Sequence, residues 1–260
     1  MNFSIFGSLP ITGIFVGIFL LILASCEAGY RFGKHTRTDQ DKEAPSSIGA
    51  MVGGLLGMLG FVLAFTFSMA SSQHDLRKQN VLDEANSIGT AYLRTDLIDK
   101  QHGTEVKRLL REYVDVRLQA ASGRGWDAAV ARSSEIQGLV WAQVSAAAVA
   151  NPNTNSALMI QSINEVIDMH EKRITGAQRN RIPDSVWIAL IAITALTMTT
   201  LGVLIGFTGK RRQAEVVALS LAFAVLVTLV VDLDRPQNGL ITVGQQSMIS
   251  LQNSMSRGAN

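Results

Sequence analysis

The sequence predicts an all-α polytopic membrane protein, with four transmembrane helices and a soluble helical bundle between the second and the third. Three observations predict it. Four windows are long and apolar enough to cross a bilayer, which takes about 20 residues at 1.5 Å rise each. Every charge near those windows sits at an edge, where it avoids the roughly 2.5–3.5 kcal/mol cost of a mid-span position. No segment shows the sustained alternation of a strand. Composition agrees, with 47% apolar and only 17% charged residues, against about 25% charged in an ordinary soluble domain.

The first span is 11–28, ITGIFVGIFLLILASCEA, with Glu27 at its far edge. Leu23-Ala24-Ser25-Cys26 has the form of a lipoprotein cleavage box. However, Met1 to Ile22 carries no Lys or Arg, and a secretory signal opens with positive charge, so a retained helix is expected. The second span, 48–70, and the third, 186–207, are uncharged, and the fourth is 214–231, with Glu215 and Asp232 at its ends. Trp187 and Tyr30 stand where interfacial aromatics anchor spans.

The chain therefore divides into an N-terminal membrane pair (1–70), a bundle (71–184), a C-terminal membrane pair (185–231) and a polar tail (232–260). In the bundle, Val81, Ala85, Ile88 and Tyr92 lie on one helical face continuing out of span two. Val106, Leu109, Leu110, Tyr113 and Val114 mark a second helix, broken by Ser122-Gly123-Arg124-Gly125. Trp126 to Val144 marks a third, and Ile160, Ile163 and Ile167 a fourth, after the turn Asn151-Pro152-Asn153. Met248, Leu251 and Met255 suit a short amphipathic helix in the tail. An even number of spans puts both termini and the bundle on one side. Basic residues near the span ends do not choose which side. Arg31, Lys34, Arg37, Lys42, Lys210, Arg211 and Arg212 in the short loops balance Arg77, Lys78, Lys172, Arg173, Arg179, Arg181 and Arg235 on the other face.

Signs of catalysis are weak, and no enzyme is expected. The four histidines, His35, His74, His102 and His170, are scattered, so no zinc or haem spacing appears. The single cysteine, Cys26, lies in a span and forbids an internal disulfide. There is no phosphate loop, nucleophile elbow or dinucleotide fingerprint. A net charge of +2 without a basic stripe gives no case for nucleic acid. Asp168 and Glu171, near His170 and Arg173, read as an exposed face with local ion pairs. The span hydroxyls Thr194, Thr197 and Thr200 are expected to bond their own helix backbone.

Span two is the informative element. Gly49, Gly53 and Gly57 recur every four residues, and Gly60, Ala64 and Ser68 continue that face. Phe61 and Phe65 stand beside it, one turn apart. Two readings fit. One is a small-residue seam that lets helices approach closely. The other is a pore helix, in which a ring of subunits makes Phe61 and Phe65 an apolar collar that gates by dewetting.

The run Phe61-Val62-Leu63-Ala64-Phe65, followed by a polar helix, resembles the neck of the bestrophins. These are pentameric ion channels with four spans per subunit and a helical cytosolic region between spans two and three. Similarity to the bacterial bestrophin-like group is broader. It covers Glu27-Ala28-Gly29-Tyr30-Arg31-Phe32-Gly33, Ala64-Phe65-Thr66-Phe67-Ser68, Glu84 to Arg94, and Asp232-Leu233-Asp234-Arg235-Pro236. The resemblance implies a homo-oligomer, with a pentamer expected, in a bacterial inner membrane, with bundle and termini cytosolic. It further implies that Phe61 and Phe65 form the neck, that Gly57 widens the earlier neck position, and that small anions such as chloride pass. The alternative is a non-conducting scaffold or sensor whose bundle binds a partner. Bestrophins bind calcium through acidic residues after the last span, which fall here on Asp232 and Asp234. Two carboxylates are few for a shell of 6–8 oxygens, and an Asp–Arg235 pair capping the span is the other reading. Expected partners are the lipid bilayer, further copies of the chain and small inorganic ions.

Overall fold

A computed structural model describes residues 9–36, 44–121, 125–178, 181–208, 213–235 and 239–257. The loop cations Arg37, Lys42, Arg179, Lys210, Arg211 and Arg212, the break at Ser122–Arg124, and Pro236 lie outside the described residues. Among the described residues eight α-helices run in order: α1 (Ile11–Thr36), α2 (Ala44–Arg94), α3 (Lys100–Ala121), α4 (Trp126–Ala150), α5 (Thr154–Gln178), α6 (Asp184–Thr208), α7 (Gln213–Asp234) and α8 (Gln246–Arg257). A 3-10 turn, Thr95–Leu97, follows α2. No strand occurs among the described residues. Four helices are long and apolar enough to cross a membrane: α1, α6, α7 and the long second helix. The chain clusters into two units.

The first unit comprises Met1–His74 and Arg181–Ile241. Its core joins Ile14, Ile18 and Ile22 of α1, Leu59 and Leu63 of α2, Leu190 and Met198 of α6, and Val227 and Val230 of α7. These recur at three- and four-residue steps, so each helix presents one apolar stripe inward. The tightest packing joins α1 and α6 through glycines. A Cβ built on Gly29 meets the Thr199 carbonyl oxygen at 1.9 Å, and one on Gly33 meets that of Val203 at 2.4 Å. Reciprocally, a Cβ on Gly202 falls 2.1 Å from the Cys26 carbonyl oxygen, and one on Gly206 falls 2.6 Å from that of Tyr30. Both residue numbers climb together along these contacts, so the helices run parallel. Two small-x-x-x-small motifs thus interlock backbone on backbone, a recurrent device where lipid removes the hydrophobic drive between helices. Thr194, Thr199 and Thr200 donate to the carbonyls four residues earlier at 2.7–2.8 Å, whereas the buried Thr197 hydroxyl has no partner among the described residues.

The second unit comprises Asp75–Asn180 and Thr242–Asn260. The tail beyond residue 231 is thus divided, with α8 assigned to this unit. Its core gathers Ile88 and Tyr92 from α2, Leu109, Leu110 and Tyr113 from α3, Ile136 and Val140 from α4, Met159 and Ile163 from α5, and Met248 and Met255 from α8. Helix starts are set locally. The Asp99 carboxylate accepts the His102 amide at 3.0 Å, and the Asn153 side chain accepts the Ser156 amide at 3.0 Å. Each satisfies a donor that a helix N-terminus leaves open. Gly125 precedes α4 with φ 67°, a left-handed conformation that glycine takes without a Cβ clash.

Candidate functional site

Helix α2 has two unlike faces where it crosses the apolar window. Val52, Leu59, Leu63, Thr66 and Ala70 are buried. At about 100° per residue, the glycine face lies to one side of that stripe, and Phe61 and Phe65 lie opposite it. A Cβ added to Gly49, Gly53, Gly57 or Gly60 meets nothing within 4 Å, and Ala64 and Ser68 are exposed. Phe61 and Phe65 flank that face and remain 73% and 60% exposed in the single chain. One side of α2 therefore packs inside its own chain, and the other carries the small residues and the phenylalanines without an intrachain partner. The glycines that lock helix backbone on helix backbone in this unit, Gly29, Gly33, Gly202 and Gly206, belong to α1 and α6.

The acidic pair after the last span is buried. Asp232 is 3% and Asp234 is 5% exposed. The two Asp232 oxygens accept the amides of Leu240 and Ile241, each at 2.8 Å. Asp234 accepts the Ile182 amide at 2.9 Å. A Cβ on Gly239 would lie 2.5 Å from the Asp232 carboxylate, so the loop needs glycine there to close over it. Burial pushes the Arg235 guanidinium below its ordinary value, against the attraction of Asp232 and Asp234. Three of the four carboxylate oxygens each accept one backbone N–H. Among the described residues no three His, Cys, Asp or Glu side chains converge. Two carboxylates so engaged fall short of the 6–8 oxygens of a calcium shell.

A third feature lies in the second unit. Glu84 of α2 is fully buried. Its Oε1 accepts the Tyr113 hydroxyl and the Arg117 Nε, each at 3.0 Å, and its Oε2 accepts Arg173. His170 Nδ1 lies 3.1 Å from the Tyr113 oxygen. Gln137 donates to that oxygen at 3.4 Å, and Arg173 reaches Gln245 at 3.3 Å. One carboxylate thus joins α2, α3 and α5 inside an apolar core. Burial first, and then the Glu84 charge, hold the Tyr113 phenol well above its ordinary value. Burial and the Arg117 charge lower His170 to about 4, so it is neutral at pH 7. Asp168 and Glu171 are exposed and take no part. Glu84, Tyr113 and Arg117 were not singled out from sequence as site residues. The available signal was an ionisable residue on an apolar stripe: Glu84 between Val81 and Ile88, Arg117 three beyond Val114, and His170 three beyond Ile167.

Comparison with known proteins follows the same architecture. A model of the Bestrophin-like domain matches residues 16–248. The chain belongs to the bestrophin-like family. Two variant crystal structures of a bacterial bestrophin homologue from Klebsiella pneumoniae share this fold. One is 12% identical with a TM-score of 0.61, covering 95% of this chain and 98% of the other. The second is 13% identical with a TM-score of 0.57, covering 95% and 97%. A crystal structure of a membrane protein variant is 14% identical, with a TM-score of 0.56 over 95% and 96%. No curated protein matches. For this bestrophin-like chain, α2 is the helix on which the expected neck residues fall.

Proposed function

We propose that the protein is a homo-oligomeric ion channel of the inner membrane whose α2 helices line a central pore. The observation that carries this reading is the two-faced character of α2. Its apolar stripe of Val52, Leu59 and Leu63 is buried within the chain, while its glycines, with Phe61 and Phe65 beside them, are left to face something else. A face turned permanently to lipid carries bulky side chains, as α7 does at Val225, Leu226 and Leu229. A small-residue face suits close approach of further copies. Copies gathered about an axis bring Phe61 and Phe65 together as an apolar constriction that gates by dewetting, with Gly57 leaving a wider step one turn away. Membership of a channel family supports the same reading, in preference to an enzyme.

Small anions such as chloride are the proposed permeant species and a pentamer the proposed assembly, both by analogy with bestrophins. The bundle and termini are proposed to be cytosolic. Asp232, Asp234 and Arg235 are proposed to latch the loop after α7 rather than to bind a metal. Purified protein reconstituted in liposomes tests the channel reading. Chloride efflux is expected, and Phe61→Ala and Phe65→Ala are expected to raise the basal rate. A particle mass in mild detergent of one or two chains, with no flux of chloride or sodium, returns the protein to the scaffold or sensor reading.

A further inference from the structure

The cluster around Glu84 leaves one guanidinium mostly unused. Arg117 is 1% exposed and donates to Glu84 through Nε, yet its Nη1 and Nη2 are buried with no partner among the described residues. An unmet buried donor costs about 1–3 kcal/mol, and more when the group is charged. The charges are also unequal. Two guanidinium ions, Arg117 and Arg173, pair with the one carboxylate of Glu84. Proton positions do not repair this. Tyr113 has one proton and donates it to the Glu84 carboxylate, which can only accept. His170 Nδ1 must then carry hydrogen to face the Tyr113 oxygen, and an imidazole, neutral or protonated, supplies no negative charge.

A second orphan lies nearby by register. Ser133 of α4 is fully buried and its hydroxyl has no partner. Gln137 of α4 donates to Tyr113 of α3. One turn along each of these consecutive, packed helices brings Ser133 opposite Arg117. Three unmet donor groups and an excess of one positive charge converge on one place. Water would meet the donors and leave the charge.

We propose that Arg117 Nη1 and Nη2, with Ser133 Oγ, hold one small monovalent anion inside the helical bundle. The site stands apart from the pore and does not depend on conduction. The test uses the full chain in mild detergent and sodium gluconate, titrated with sodium bromide at constant ionic strength. A saturable rise in Tm is expected, and crystals grown in bromide should show an anomalous peak beside the Arg117 Nη atoms. Ser133→Ala should retain the fold and weaken bromide by about fivefold, the equivalent of one hydrogen bond. Arg117→Lys should abolish the saturable response; if it does not fold, the wild-type anomalous map and Ser133→Ala still decide. A wild-type Tm indifferent to bromide, a water in place of the peak, or a response that Ser133→Ala leaves unchanged would overturn the proposal.

Discussion

Gly29 and Thr199 meet backbone to backbone, with a Cβ at Gly29 falling 1.9 Å from the Thr199 carbonyl oxygen. No side-chain adjustment relieves that overlap, so the helices themselves must part. Gly29→Ala and Gly202→Ala are each expected to cost about 2–3 kcal/mol through overpacking and to lower Tm in detergent. Gly57→Ala meets nothing within its own chain and should leave chain stability unchanged or slightly raised. Its effect should appear in particle mass or flux. Thermal melts of the three variants beside size measurement separate the two kinds of glycine.

Removing Glu84 strands two cations in the core. Glu84→Leu is expected to destabilise the bundle by about 3–5 kcal/mol, the cost of breaking a buried ion pair from one side. Tyr113→Phe removes only a hydroxyl from the same carboxylate and should cost about 1 kcal/mol. Equal losses in the two variants, read by chemical denaturation, would contradict a central role for the carboxylate.

The depressed His170 value gives a pH dependence of definite sign. The unfolded chain titrates at the ordinary 6.5 and the folded chain at about 4, so on acidification the unfolded state binds the proton first. The contribution of neutral His170 is whole above pH 6.5 and is lost progressively as pH falls through about 4. The 2.5-unit difference amounts to about 3 kcal/mol. Tm followed from pH 7 to pH 4 should fall in the wild type and fall less in His170→Asn.

Asp232 holds the loop after α7 through two amides. Asp232→Ala leaves both donors unmet and is expected to cost about 1–3 kcal/mol, with faster proteolysis near Leu240. A chelator should leave wild-type Tm unchanged. A calcium-dependent rise in Tm that Asp232→Ala abolishes would restore the metal reading.

Local signals carried much of this architecture. The spans are legible because about 20 apolar residues cannot be placed elsewhere, and α2 continues past them because Val81, Ala85, Ile88 and Tyr92 keep the helical step beyond Ala70. The α8 stripe of Met248 and Met255 was legible for the same reason. Pairing between distant segments was not. Spacing drew notice to the glycines of α2, the longest such series. The interlocked ones, Gly29 and Gly33, lie beyond the window expected for span one, and their partners stand some 170 residues later. Glu84 reads as one more polar residue on a solvated helix until Tyr113, Arg117 and Arg173 are seen to converge on it. Each is ordinary in its own segment, and only the tertiary contact makes the group unusual.

The matched offset along α1 and α6 has a mechanical result. With four carbonyl–glycine contacts in one register, neither helix can slide or roll without lifting the other out of contact at every step. The pair acts as a stator. On the channel reading proposed above, the opening stroke is expected in α2, whose glycine-lined flank has no partner within the chain.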